Sequence, residues 1–235
     1  MLKRLHLADA GGDLTSAGRR VRTGLLYRSS AIHKLLPAER ERLTALGLKH
    51  IVDLREPSVI AKRPDALQVE SVTRLPVGFG ILETVRPRDV LLRRVDWRAL
   101  AHTGLYADVL ESNAPLFKRF LDSLVNKPGP TLVHCTAGKD RTGMMVAIWQ
   151  LALGALPDTI VAGYMSVLPH LQQHFPRRLK LLVRALGGPP LAYSVIPDYM
   201  ERMLAHISEK YGSTESYLQA IKFGQVEALR AKYLE

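Results

Sequence analysis

The sequence contains a single cysteine, Cys135, among its 235 residues. One thiol allows no internal disulfide, so we expect a reducing compartment, the cytoplasm. Long hydrophobic runs are also missing, because no apolar stretch reaches the roughly 18 residues that a membrane-spanning helix needs. The first residues, MLKRLHLADAGG, have no long apolar segment, so a cleaved signal peptide is not expected. Export by another route stays open.

Sequence motifs that bind metal ions or nucleotides are missing as well. The eight histidines are scattered, without H-E-x-x-H and without paired cysteines. Neither the dinucleotide fingerprint nor the loop G-x-x-x-x-G-K-[ST] occurs. We therefore expect no metal and no cofactor.

Acidic residues are too few to balance the basic ones, and the formal net charge is +11. Such a charge attracts anions: nucleic acid, acidic membrane surfaces or phosphorylated substrates. It can also serve solubility alone. Because 47% of the residues are hydrophobic and 23% are charged, the chain has the composition of a globular protein. Its length fits one domain over residues 1–235.

Periodic patterns predict an α/β fold. Apolar runs in GLLYRS, KHIVDLRE, VTRLPV and TLVHC predict strands, and LLPAERERLTALG predicts a helix with Pro37 in its first turn. Residues 57–90 are predicted to be irregular. Helices are expected over 91–126, from about Thr142 to Leu153, and beyond. The prediction is a central, mainly parallel sheet flanked by helices, with additional C-terminal helices and a lid or appendage at about 160–195.

The segment HCTAGKDRTG carries the chemistry. Five residues, TAGKD, separate Cys135 from Arg141, a spacing that suits a loop wrapped around one phosphate. Its backbone N–H groups and the start of the following helix would face the anion. Gly138 would allow a close turn, and Gly143 tight packing of the helix start. The planar fork of Arg141 can hold two phosphoryl oxygens.

These surroundings favour a nucleophilic thiolate at Cys135. In-line attack on phosphorus would give a phosphocysteine, which water then hydrolyses. Thr142 can donate a hydrogen bond to the thiolate, and His134 can orient the loop. The residues predicted to bind substrate are Thr136, Ala137, Gly138, Lys139, Thr142 and Gly143.

This segment resembles the signature loop of cysteine-dependent protein tyrosine phosphatases, and its Lys-Asp pair resembles the bacterial tyrosine and lipid phosphatase group. The segments LYRSS, IVDLRE and KYGSTESYL resemble further motifs of that group in the same order. ADAGG departs from the group's RDLGG, which leaves an arginine missing. The resemblance implies a tyrosine-phosphatase-like fold and a phosphomonoester hydrolase that acts on phosphotyrosine proteins, phosphoinositides or both.

Protonation of the leaving group needs a positioned acid. A Trp-Pro-Asp loop is missing, since Trp97 follows Asp96. Asp140 lies inside the loop, and Asp53 lies where a parallel strand ends beside the site; the resembling group points to the same two positions. We favour Asp140 as the acid and Asp53 as the residue that orients Arg141. Less favoured alternatives are Asp89, Asp96 and Asp108.

Two basic features bear on the substrate. Lys139 would favour substrates with more than one phosphate, such as phosphoinositides, or it faces solvent. The basic stretch from Arg177 to Arg184 fits an anionic membrane surface, a lid or a solvated helix face. No nucleic acid partner is expected. A non-catalytic basic phosphate-binding module is the main alternative, and sulfur transfer or arsenate reduction is a third. Oligomeric state stays open.

Overall fold

The computed structural model describes residues 5–78, 97, 102–174 and 177–235, and these residues form a five-stranded sheet flanked by helices. The strand order is β1-β2-β5-β3-β4. The strands are β1 Leu7–Asp9, β2 Leu26–Ser29, β3 His50–Asp53, β4 Ser71–Arg74 and β5 Thr131–His134. Only the β1–β2 pair is antiparallel, so the predicted mainly parallel sheet is confirmed.

The strand β5 lies at the centre of the sheet. All four of its residues are buried, and it pairs with β2 on one edge and with β3 on the other. The strands β2 and β3, which flank the first predicted helix, are therefore parallel but not neighbours. The fully buried strand β5, which pairs on both edges, takes the place between them. The carboxyl ends of β3 and β5 consequently meet at one edge of the sheet.

Helices surround this sheet. Before β5 they are α1 Pro37–Ala45, α2 Pro57–Lys62, α3 Leu105–Ser112 and α4 Ala114–Asn126. The helix α2 corrects the prediction of an irregular 57–90 segment, because Pro57 occupies a first turn where its fixed φ suits a helix. Among the residues predicted to be helical, 91–96 and 98–101 lie outside the described part of the chain.

After β5 come α5 Asp140–Leu153, α6 Pro157–Met165, α7 Leu168–His174, α8 Arg177–Ala185, a 3-10 turn Pro190–Ala192, α9 Pro197–Tyr211, α10 Thr214–Ala220 and α11 Val226–Tyr233. The helix α5 is buried along its whole length except at Leu151. It packs against β2, β5 and the helices α4, α6, α10 and α11. Trp149 of α5 meets Tyr233 of α11 edge to face, with ring centroids 5.2 Å apart.

The two faces of the sheet have separate hydrophobic clusters. The larger includes α5 and the C-terminal helices, and it extends in sequence from Ala10 to Leu234. The smaller lies under α1 and includes Ile32, Leu43 and Ile51. None of the helices in the described residues is long and apolar enough to cross a membrane. The single domain over 1–235 and the lid at 160–195 stay predictions.

Candidate active site

The loop from Cys135 to Lys139 joins the end of β5 to the start of α5, as the sequence predicts. The Cys135 side chain is 2% exposed. The backbone N–H of Gly138 donates a hydrogen bond to Cys135 Sγ over 3.3 Å. The sulfur thus lies beside an amide donor and close to the positive end of a 14-residue helix. Both features stabilise negative charge at this position.

Two glycines give the loop its close packing. Gly138 has φ +70°, and a Cβ there would lie 2.7 Å from the Ser29 carbonyl oxygen of β2. At Gly143 a Cβ would lie 2.8 Å from Cδ2 of Tyr164 in α6. A larger residue would therefore force the loop away from β2 or the start of α5 away from α6.

The Arg141 guanidinium lies in the first turn of α5 and is 4% exposed. Its Nη1 donates to the backbone carbonyl of Leu54, just after β3, over 3.0 Å. This bond ties the end of the loop to the neighbouring strand and limits the orientations of the planar fork. Phosphate binding by Arg141 stays a prediction.

Lys139 is buried and points into the protein. Its ammonium group donates to the backbone carbonyls of Leu191 and, over 3.2 Å, of Ser194. It also lies 3.1 Å from Asp140 Oδ2. The structure places this cation against the 190–194 backbone; its contact with a second phosphate stays a prediction.

The Asp140 carboxylate lies between Lys139 and Tyr106 of α3. The Tyr106 hydroxyl donates to Asp140 Oδ1 over 2.6 Å and lies 2.9 Å from the Tyr164 hydroxyl. Burial first, and then the negative charge of Asp140, raise the pKa of Tyr106 well above its ordinary value. No sequence pattern around Tyr106 or Tyr164 distinguishes them from ordinary core tyrosines.

Asp53 lies at the end of β3, close in the fold to His134. Its carboxylate accepts two side-chain hydrogen bonds from Arg55, 2.8 Å from Nε and 2.7 Å from Nη2. No hydrogen bond joins Asp53 to Arg141 among the described residues. The predicted orienting role would therefore act through the backbone of β3 and Leu54, and it stays a prediction.

His134 connects this acidic cluster to the loop. Its Nδ1 lies 3.2 Å from the Cys135 carbonyl oxygen and its Nε2 lies 3.1 Å from Asp65 Oδ2. The ligand atoms of Asp53, Asp65 and His134 all lie within 4.8 Å of one another, a spacing that could hold a metal ion. The Arg55 Nη2 already lies 2.7 Å from an oxygen of each carboxylate, however. A cation is thus built into the cluster.

The other predicted residues have different surroundings. Thr136 and Ala137 are half-buried in the loop. The Thr142 hydroxyl is buried and has no hydrogen-bond partner among the described residues, so the expected bond to the thiolate is not formed. Asp108 is exposed and pairs with His102 at 3.5 Å. Asp89 and Asp96 lie outside the described residues.

One functional candidate, Arg28, was missed in the sequence. It is a buried arginine in β2, and its Nη2 donates to the Gly138 carbonyl over 2.9 Å. The available signal was a charged residue inside the predicted strand LYRS.

Comparison with known proteins assigns the family. The sequence model of the tyrosine phosphatase family matches residues 7–235. A Cupriavidus necator protein named "Putative tyrosine-protein phosphatase H16_A0669" is 32% identical, covering 96% of this chain and 84% of that protein. The triple specificity protein phosphatase PtpB of Mycobacterium tuberculosis is 26% identical, covering 94% of each.

One solved structure that is similar to this chain is the core catalytic domain of the PP-IP phosphatase SIW14 from S. cerevisiae. It is 16% identical and has a TM-score of 0.39, and the match covers 86% of this chain and 93% of that chain. The family match covers nearly all of the described structure, including the loop from Cys135 to Arg141. The chain therefore belongs to the tyrosine phosphatase family and is an enzyme of the protein-tyrosine phosphatase class.

Proposed function

We propose that this protein hydrolyses phosphotyrosine in proteins, phosphoinositides, or both, through a phosphocysteine intermediate on Cys135. The observation that carries the proposal is the geometry of the loop. Its sulfur accepts a backbone hydrogen bond at the start of a buried helix, with Arg141 in the first turn of the same helix. A thiolate there can attack phosphorus while backbone amides and the guanidinium hold the phosphoryl oxygens.

The proposed reaction has two displacements. Cys135 Sγ forms a bond to phosphorus while the ester oxygen leaves and takes a proton from an acid, for which Asp140 is our first choice and Asp53 our second. Water then attacks phosphorus and the sulfur leaves as the thiolate. The acid becomes a base in the second step, because it accepts a proton from that water. The same residues of the loop thus act in both displacements.

Charge supports phosphoinositides beside phosphotyrosine as substrates. The net charge of +11 favours strongly anionic substrates. A relative that spans 94% of this chain is named for triple specificity, which supports testing more than one substrate class. Because Lys139 is buried, a preference for phosphoinositides would depend on cations outside the loop.

An anionic membrane surface is the proposed partner, and the helix α8 is the proposed contact. Its exposed residues follow the spacing of one helix face: Arg177, Arg178, Leu181, Arg184 and Ala185. Leu181 is 64% exposed and lies among the three arginines. No acidic residue occurs between Asp158 and Asp198. Cations around an exposed apolar side chain suit an interface with acidic headgroups.

The direct test is phosphate release from matched substrates by the wild-type protein and by Cys135→Ser. The panel contains a phosphotyrosine peptide, a phosphoserine peptide and phosphoinositides in vesicles. We expect vanadate-sensitive turnover without added metal, a trapped phosphoenzyme after acid quench, and loss of both in the variant. Wild-type turnover by Cys135→Ser would overturn the proposal. Binding of the panel without hydrolysis would favour a non-catalytic phosphate-binding module instead.

A further inference from the structure

Arg28 is a buried cation with unusual surroundings. It is 3% exposed and lies in β2, the second strand of the sheet. Its Nη1 donates to the Gly163 carbonyl of α6 over 3.0 Å, and its Nη2 donates to the Gly138 carbonyl of the loop over 2.9 Å. Its Nε has no hydrogen-bond partner in the part of the chain that the structure describes. Among the described residues no carboxylate lies within ion-pair distance of this guanidinium, so its charge is not balanced by an acidic side chain.

A buried arginine without an acidic partner is costly for a protein to maintain. Carbonyl groups satisfy its N–H donors but carry no net charge. The groups that interact electrostatically with Arg28 are Cys135, the hydroxyls of Tyr164 and Tyr106, and His6. Burial holds the pKa of the two tyrosines above its ordinary value and lowers the pKa of His6, so all three are neutral near pH 7. Only Cys135 can supply a negative charge.

We propose that Arg28 is the permanent countercharge of the Cys135 thiolate and, through its bond to Gly138, a positioning residue for the loop. The role of Arg28 in the reaction rests on the proposed function above. The charged residues of the loop and of the first turn of α5 are Lys139, Asp140 and Arg141. Lys139 and Asp140 pair with each other, and Arg141 is the predicted phosphate ligand. Arg28 differs because its two donating nitrogens already bond protein carbonyls, in the absence of any substrate.

The electrostatic balance of Arg28 supports this assignment. Burial lowers the pKa of Arg28 to about 10, and among the influences that oppose burial the negative charge of Cys135 is the largest. The geometry connects the two groups through one residue, because Arg28 donates to the Gly138 carbonyl while the Gly138 N–H donates to Cys135 Sγ. The proposal therefore places the countercharge of the nucleophile on β2, outside the loop itself.

Alkylation of the protein tests the proposal without any turnover. Because Cys135 is the only cysteine, the rate of its reaction with iodoacetamide between pH 4 and pH 9 reports on this thiol alone. In Arg28→Met we expect the midpoint of this pH profile to rise by about one unit, a tenfold loss of thiolate at a given pH below it. Arg28→Lys keeps the charge and should shift the midpoint by less than half as much.

The control is Gln150→Met, which removes another buried polar side chain without removing a charge. Its midpoint should match that of the wild-type protein. A midpoint for folded Arg28→Met that also matches the wild type would overturn the proposal. The acid limb of the pH profile of kcat/KM for p-nitrophenyl phosphate should shift by the same amount as the alkylation midpoint. Loss of turnover in Arg28→Met with an unchanged midpoint would contradict the proposal while leaving the proposed function intact.

A second measurement applies if Arg28→Met does not fold. The free energy of unfolding is then compared between the wild type and Cys135→Ser from pH 5 to pH 8. A thiolate stabilised in the folded state makes the wild type gain stability over Cys135→Ser as the pH rises. A constant difference across this range would overturn the proposal.

Discussion

The hydroxyl of Tyr106 donates a 2.6 Å hydrogen bond to Oδ1 of Asp140, and this bond joins α3 to the first turn of α5. The Lys139 ammonium lies on the other oxygen of the same carboxylate, at 3.1 Å. Asp140 thus has both oxygens held, and the residue is 8% exposed. A general acid must present one oxygen to the leaving group, so Asp140 can act in this role only when one of these two contacts opens.

The choice between Asp140 and Asp53 as the acid can be made with Asn variants of each. Asp140→Asn should lower kcat for a phenyl phosphate ester by about 10²-fold or more, because no proton reaches a basic leaving group. The loss should be smaller for p-nitrophenyl phosphate, whose leaving group needs little protonation. Asp53→Asn should keep the basic limb of the pH profile and instead lower the melting temperature, because Arg55 loses its buried partner. The reverse pattern would assign the acid to Asp53.

Tyr106→Phe removes one hydrogen bond from Asp140 and leaves the packing of the ring. We expect a loss of about 1.5–3 kcal/mol of stability, the range for a hydrogen bond to a charged group. The value of kcat should also fall, since Asp140 loses a hydrogen bond that orients its carboxylate. Tyr217→Phe is a matched control, because the Tyr217 hydroxyl is buried and has no hydrogen-bond partner within the described ranges of the chain. Urea unfolding and pH-rate profiles of both variants provide the check, and equal effects would contradict a role for the Tyr106–Asp140 bond.

Lys139→Met distinguishes an anchor from a substrate ligand. Because the ammonium donates to the Leu191 and Ser194 carbonyls, we expect the variant to lose activity by a similar factor on phosphotyrosine peptides and on phosphoinositides. The measurement is kcat/KM for both substrates under the same conditions. A loss confined to substrates with several phosphates would support the contact predicted from the sequence.

Charge reversal on α8 tests the membrane partner. Each arginine near an anionic surface contributes on the order of 1 kcal/mol, so Arg177→Glu with Arg178→Glu should reduce binding to vesicles with phosphatidylserine at least tenfold. Activity on a soluble phosphotyrosine peptide should not change. The control pair, Arg42→Glu with Lys62→Glu, makes the same charge change on exposed helix positions elsewhere. Co-sedimentation with charged and neutral vesicles measures the binding. Equal losses of vesicle binding in the two variant pairs would show that only net charge matters, and would contradict a specific contact through α8.

Acid lowers the stability of this protein partly through His6. Burial, followed by the positive charges of Arg28 and His170, lowers the pKa of His6 to about 4. Between pH 6.5 and pH 4 the unfolded chain therefore binds a proton here that the folded chain does not, and the free energy of unfolding falls as the pH falls. His6→Gln should show a flatter decline in this window, measured by urea unfolding at several pH values, whereas His102→Gln, at an exposed histidine, should decline as the wild type does.

Some of this structure follows directly from the sequence because the signal is local. The run TLVHC predicts β5, the CX5R spacing predicts the loop, and the apolar residues that follow predict α5, all within about twenty consecutive residues. Gly138 needs its positive φ for a turn that the spacing already implies. These features depend on neighbours in the chain, which the sequence displays.

Contacts between distant segments were not predictable in the same way. The Gly138 carbonyl that Arg28 bonds is 110 positions away, and Tyr106 is 34 positions from Asp140. Lys139 was interpreted as a cation for substrate or solvent, but its ammonium faces carbonyls that only the folded 190–194 segment brings close. The order of β2, β5 and β3 likewise depends on pairing between strands that are far apart in the chain, and both β3 and β5 are fully buried.

The burial of α5 has a consequence for how the enzyme can fail. The loop is continuous with the helix at the centre of the main hydrophobic cluster, so it has little freedom to open while the rest stays folded. Amides in the first turns of α5, such as those of Gly143 and Met144, should exchange with deuterium only by global unfolding. Heat should then remove catalytic competence and native structure in a single cooperative event, and partly unfolded yet competent molecules should not accumulate.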